Sequence, residues 1–335
     1  MLSGVNLVKF SGVVLRRLCF VLCCMQIVDV SVSAQDAVYS QPYEQLLVLN
    51  PAFAGARGYG SVSVFHRSQW LQLTNPFRYY GISASLPVER IHGAAGFTVV
   101  REDYAGLFSV TRAECIYSYE AVISSALSAG FAIQAGAIQS GYTLSNLLFP
   151  GQIDPATLTT LPGNETGLPP SKIVPDFATG FAGVYRSLYF GASAHHLTRP
   201  LLAGGYRIPL RITAHAGYNF EIARSLLSMQ PLSISPNITF WHQGDLTLIQ
   251  TGSYLSVKPL YAGIWARSNT SFSWVTMVVL AGITAGRLQV AISYDADALS
   301  ASRLPGKGSW EVTCSLKVDQ IKKRKTIRAI KCPKI

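Results

Sequence analysis

The sequence predicts an all-β fold: a transmembrane, antiparallel, up-and-down β-barrel of about 14 strands. Three observations carry this. First, Ile208–Phe220 alternates cleanly. Ile208, Leu210, Ile212, Ala214, Ala216, Tyr218 and Phe220 fall on one face, and Arg211, Thr213, His215, Gly217 and Asn219 on the other. Side chains alternate across a strand, so this segment has one apolar and one polar face. Its length suits a tilted strand crossing a bilayer, which takes roughly 9–11 residues. Second, charged residues make up only 13% of the chain, against roughly 25% in soluble domains. Yet the mature chain has no clean apolar run of the ~20 residues a membrane helix needs. Third, short and long connections alternate along the chain, as they do at the two ends of an outer-membrane barrel.

The elements follow in order. Lys9, Arg16 and Arg17 precede the apolar run Leu18–Val28 and the small-residue stretch ending at Ala34. Residues 1–34 therefore read as a signal peptide cleaved at about Ala34, and the mature protein as a resident of the cell outer membrane. Residues 35–58 carry Pro and Gly without a clear period. They are expected to form an irregular periplasmic lead-in that packs under or into the barrel mouth. The barrel is assigned to 59–318. Its strands are read at 59–68, 77–87, 91–101, 106–119, 127–140, 176–186, 188–197, 208–220, 231–242, 246–257, 259–268, 273–285, 287–296 and 308–318. Turns after even strands are mostly tight, with Ala121–Ala126 and Glu221–Gln230 longer than the rest. The long gaps, Gly141–Pro175 above all, follow odd strands and are expected at the cell surface.

On the polar face, Arg211, Thr213, His215 and Asn219 are expected to point inward. Arg at position 214, on the lipid face, should then cost about 2–4 kcal/mol near the midplane, and Arg at 213 much less. Inward positions read as largely Gly, Ala, Ser and Thr, with few rings of charge to select solutes.

Of the net charge of +11, +7 lies in Lys317–Ile335 and +2 in the first 34 residues. The nearly neutral body excludes a general nucleic-acid-binding surface. The tail, residues 319–335, gathers Lys322, Lys323, Arg324, Lys325 and Arg328, a cluster suited to an acidic periplasmic partner or anionic outer-membrane lipid. In the lead-in, Asn50, Pro51 and Gly55 hold a fixed irregular path. These eight residues are the candidate partner-binding set.

Chemistry is sparse. No nucleotide-binding, zinc-protease, nucleophile-elbow or C-x-x-C motif occurs. His195 and His196 are adjacent, so in a regular strand they face opposite sides and share no metal. Cys115, Cys314 and Cys332 are too widely spread for a disulfide framework or a metal site. No catalytic residue, cofactor or metal is expected.

The segment Y-S-Q (Tyr39–Gln41) followed by L-N-P-A-F-A-G (Leu49–Gly55) resembles the start of the PorP/SprF family. H-R-S-Q-W (His66–Trp70) resembles that family's Y-R-N-Q-W, and K-K-R-K-T-I-R-A-I-K-C-P (Lys322–Pro333) its basic tail. Phe53 stands where Tyr is commoner, and Gln41-Pro42 lacks the usual Tyr-Met. The resemblance spans the mature chain. It implies an outer-membrane component of the type IX secretion and gliding machinery, without catalysis. Such a component would be a binding scaffold for the C-terminal domains of secreted cargo or for periplasmic parts of the machine. The alternative is a general channel or porin-like transporter.

Overall fold

The computed structural model describes residues 35–143, 153, 157, 170–224, 231–300 and 308–318. Residues 1–34, the tail from residue 319 and most of the connection Gly141–Pro175 lie outside the described residues.

Fifteen strands form one sheet in which every pairing is antiparallel. They are β1 Gly60–Gln69, β2 Phe77–Val88, β3 Gly93–Tyr104, β4 Phe108–Val122 and β5 Leu127–Tyr142. Then come β6 Lys172–Tyr185, β7 Leu188–His195, β8 Arg211–Tyr218, β9 Phe220–Arg224 and β10 Pro231–Gln243. The rest are β11 Leu246–Val257, β12 Leu260–Asn269, β13 Trp274–Ala285, β14 Leu288–Ser300 and β15 Ser309–Val318. Each pairs with its neighbours in sequence, except that β8 and β9 both pair with β10 on either side of Asn219. They share one wall position, so the 15 segments make a 14-stranded wall. β15 pairs with β1 over its whole length and β10 with β11, so the wall closes on itself, while the short β9 pairs on one side with β10. Closure is what a membrane demands, because an unpaired backbone edge has no water to satisfy it.

The alternation read from the sequence sets the two faces. On β8, Arg211, Thr213 and His215 are buried inside while Ile212 is 41% exposed. Ile133, Ile173, Ile264, Val279 and Ile292 are likewise outward and exposed, an apolar belt facing lipid. Some strands extend beyond their expected ends where pairing continues. Glu120↔Gly130 and Ala121↔Ala129 carry β4 to Val122, which shortens the connection to β5. The strands read at 188–197 and 208–220 are shorter than expected: β7 ends at His195 and β8 spans Arg211–Tyr218. Ile208, expected on the lipid face, is instead buried against Val110, Ile138 and Leu202. Between β13 and β14 the turn is closed by Gly286 at φ 61°, a left-handed conformation that glycine adopts without steric cost.

Residues 35–58 do not stay outside. They include a one-turn helix, α1 Leu46–Leu49, and a 3-10 turn over Pro51–Phe53, and most of the segment is buried within the barrel. No helix among the described residues is long and apolar enough to cross a membrane.

The filled barrel interior as the candidate functional site

The lead-in folds into a plug. Asp36 sits at the long-loop rim, against Arg112 near the start of β4, Arg211 at the start of β8 and His196 just past β7. The chain then descends to Glu44, which takes hydrogen bonds from Tyr261 and Gln289 near the short-turn ends of β12 and β14. It climbs through α1 until the carbonyl of Val48 meets Arg211. From Asn50 it descends again to Gly55, which packs on Ala94 and Pro87 at the short-turn end.

The upper limb, residues 36–41, is held by polar contacts. The Asp36 carboxylate accepts from Arg112 at 2.9 Å, Arg211 at 2.6 Å and His196 Nε2 at 2.8 Å. Burial alone would raise the Asp36 pKa, but His196, Arg112 and Arg211 outweigh it and hold the group well below the usual carboxylate range. His196 also bonds Asp176 through Nδ1 at 2.6 Å. Burial acts to lower its pKa, yet the two carboxylates win and push it up to about 9. Wall side chains hold the limb's backbone as well. The Asp36 N–H donates to Gln243 at 2.9 Å and the Ser40 N–H to Glu311 at 2.8 Å, while Arg267 donates to the Tyr39 carbonyl at 3.0 Å.

The lower part is held by apolar packing. Tyr43, Leu46, Leu47, Phe53 and Ala54 join Ile116, Tyr189, Tyr254, Trp265 and Leu280 in one buried cluster. Between the two regions Asn50 is a polar clamp. Its amide donates to the carbonyls of Phe181 at 2.9 Å and Ala192 at 3.2 Å and contacts His215 at 3.1 Å, while its Oδ1 caps the Ala52 N–H at 2.9 Å. These bonds satisfy a fully buried amide that would otherwise be costly. Gly180 leaves the room, since a Cβ there would lie 2.1 Å from Asn50 Oδ1.

Two interior spaces against the plug hold about 20 Å3 each, room for about one water molecule.

Two expectations change. The wall is not confined to Gly, Ala, Ser and Thr. Arg67 pairs with Asp295 at 2.9 Å and Glu311 at 3.5 Å, Arg112 with Glu102 at 2.5 Å and Arg267 with Asp295 at 3.5 Å, all buried. These charges escaped notice because each partner lies on a different strand, and only the closed sheet brings them together. The signal available was their place on polar faces of otherwise apolar strands. Arg at 213 also loses its expected mildness. Thr213 is fully buried and donates to the Leu49 carbonyl at 3.2 Å, so a long side chain there meets the plug rather than water.

Of the candidate partner-binding residues, Asn50, Pro51 and Gly55 lie inside the barrel, with Asn50 and Pro51 packed against Gly180. Lys322, Lys323, Arg324, Lys325 and Arg328 lie outside the described residues. Among the described residues no cluster of metal-ligating side chains occurs.

Solved structures similar to this one include the CymD monoaromatic hydrocarbon channel, at 10% identity and a TM-score of 0.47, covering 86% of this chain and 94% of that one. A triple mutant of the Rhodopseudomonas blastica porin aligns at 7% identity and a TM-score of 0.36, covering 78% and 99%. The KdgM porin aligns at 9% and 0.35, covering 76% and 98%. No curated protein matches the chain. The model of one family, the type IX secretion system membrane protein PorP/SprF, matches residues 31–316. With that match over most of its length and a closed, lipid-faced wall, the chain belongs to the PorP/SprF family and is a membrane-barrel component of type IX secretion.

Proposed function

We propose that this barrel is a binding scaffold of the secretion machine rather than an open conduit. It would sit in the outer membrane after removal of residues 1–34. The observation that supports this reading is the filled lumen. The lead-in occupies the barrel from rim to rim, and the spaces beside it hold about 20 Å3 each, too little for a hydrated solute. A scaffold needs a rigid wall and exposed docking groups. The wall is rigid by closure and by its plug, and the docking group is the basic tail with Lys322, Lys323, Arg324, Lys325 and Arg328. Its partner would be an acidic periplasmic component of the machine or the C-terminal domain of a secreted cargo. Asn50, Pro51 and Gly55 would contribute indirectly, by fixing the plug, and would reach a partner directly only if the plug were withdrawn.

The test has two arms. In planar bilayers the wild-type protein should be nearly silent; steady conductance of porin size would favour the channel reading. In an affinity pull-down from native membranes, changing the five named tail residues to Gln should reduce partner recovery several-fold at low salt. The difference should shrink at high ionic strength, because screening acts over about 8 Å at physiological salt. Unchanged recovery would make the tail's charge a bystander.

A further inference from the structure

We propose that the upper half of the barrel is a peptide-binding vestibule, which takes an extended segment carrying an acid and, three residues later, an aromatic. The chain's own limb, Asp36 to Ser40, is the occupant seen in the structure.

The vestibule has the parts of a peptide receptor. It has an acid pocket, where Arg112, Arg211 and His196 converge on one carboxylate at 2.9, 2.6 and 2.8 Å. It has an aromatic pocket, where Tyr39 packs edge-on to Phe65 at 5.1 Å and Tyr79 at 6.4 Å between ring centres. Between the pockets, Gln243, Arg267 and Glu311 bond the limb's backbone N–H and C=O groups, which any sequence would supply. Backbone bonds provide affinity and the two pockets choose the side chains, the division of labour seen when extended peptides are recognised.

The wall does not need its occupant. Arg67 keeps Asp295 and Glu311, Arg112 keeps Glu102, Arg267 keeps Asp295 and His196 keeps Asp176, all on the wall itself. When the limb leaves, Arg112, His196 and Arg211 all lose the Asp36 carboxylate, and of the three Arg211 has no second ion pair among the described residues. Buried charges are costly unless paired, and here all but Arg211 keep a partner without the limb, so Arg211 is the group that calls for a replacement carboxylate. The lower plug is different. Its apolar cluster loses heavily in water, so it stays seated while the limb detaches. The chemistry therefore favours exchange of residues 36–40 for a second segment of the same pattern, arriving at the long-loop mouth. This site uses none of the tail's residues. A failed peptide titration leaves the tail pull-down standing, and a failed pull-down leaves this site standing.

The experiment uses the full-length protein in detergent and a fluorescent peptide of the sequence Q-D-A-V-Y-S-Q-P, copied from Gln35–Pro42. In the wild type the resident limb competes. In the Asp36→Ala/Tyr39→Ala variant it does so poorly, and the peptide should bind at least tenfold more tightly. Adding Arg211→Ala to that variant should remove the gain, as should replacing the peptide's acid by Asn or its aromatic by Ala. The milder Asp36→Asn variant serves if the double variant does not give the heat-modifiable band of a folded barrel. A folded variant that binds no peptide overturns the proposal, and so does binding that ignores Arg211→Ala or the peptide's acid.

Discussion

At the scale of single residues, His196 shows how the upper plug depends on pH. It bridges Asp36 of the plug and Asp176 of the wall, and its pKa is raised from 6.5 to about 9. A group with a raised folded-state pKa contributes stability that is complete below its unfolded value and is lost as pH climbs through the folded one. The melting temperature should therefore fall between pH 6.5 and about 9. His196→Gln should flatten that part of the profile, which a thermal scan across buffers reads directly. Gly180 gives a second test. Gly180→Ala places a methyl against Asn50 Oδ1, with the Pro51 ring 3.0 Å away. Both are plug side chains, so Asn50 and Pro51 must shift. Loss of the Asn50 bonds should cost about 1–3 kcal/mol, measured as a drop in unfolding free energy that Asn50→Ala alone reproduces. Asn50 was legible in the sequence as a special position, within L-N-P-A-F-A-G. Its physical role was not, because its partners are backbone carbonyls more than 130 residues away, on β6 and β7.

At the scale of elements, period-two alternation did most of the work. It marked the core of β8, Arg211–Tyr218, and the 14-stranded wall, but it ran past the strand's start, where Ile208 turns into a buried cluster, and past its break at Asn219. What alternation could not tell was what fills the inside, since a polar face reads the same against water and against a polar plug. Neighbouring positions on β8 separate these cases. Ala214→Arg puts a charge on the lipid face and should destabilise the barrel by about 2–4 kcal/mol if the site lies near the midplane. Thr213→Arg should leave the wall paired while driving α1 from its seat, because the Thr213 hydroxyl touches the Leu49 carbonyl. A heat-modifiability gel reports the wall, and protease sensitivity of residues 35–58 reports the plug. The first variant should change the gel and the second the protease pattern. Matching changes from both would sink this division of faces.

Across the whole molecule, two kinds of order meet. The wall is repetitive and was readable strand by strand from local pattern. The plug is unique and non-local. Asp36 alone draws on β4, β8, β10 and the segment after β7. Arginines and acids on separate strands carry no local sign that they belong to one network. The short helix and 3-10 turn likewise gain their stability from the apolar cluster around them, and too few residues are involved for a helix to persist alone.

The seam between β1 and β15 has a consequence in time. The two strands that close the wall are separated by nearly the whole barrel sequence, and they pair over ten residues. The segment that ends up inside precedes both of them in the chain. A finished cylinder would have to be threaded, whereas an open sheet can curl around a core already in place. We expect the plug to serve as the mandrel on which the sheet is wound, with the last seam shutting it in. Long-range closure is slow because its loop entropy is lost before the contacts form. A prepositioned core shortens that search. Changing Leu46, Leu47 and Phe53 together to Ser should slow assembly into lipid vesicles several-fold, followed by the appearance of the heat-modifiable band, with the lipid-facing surface left untouched.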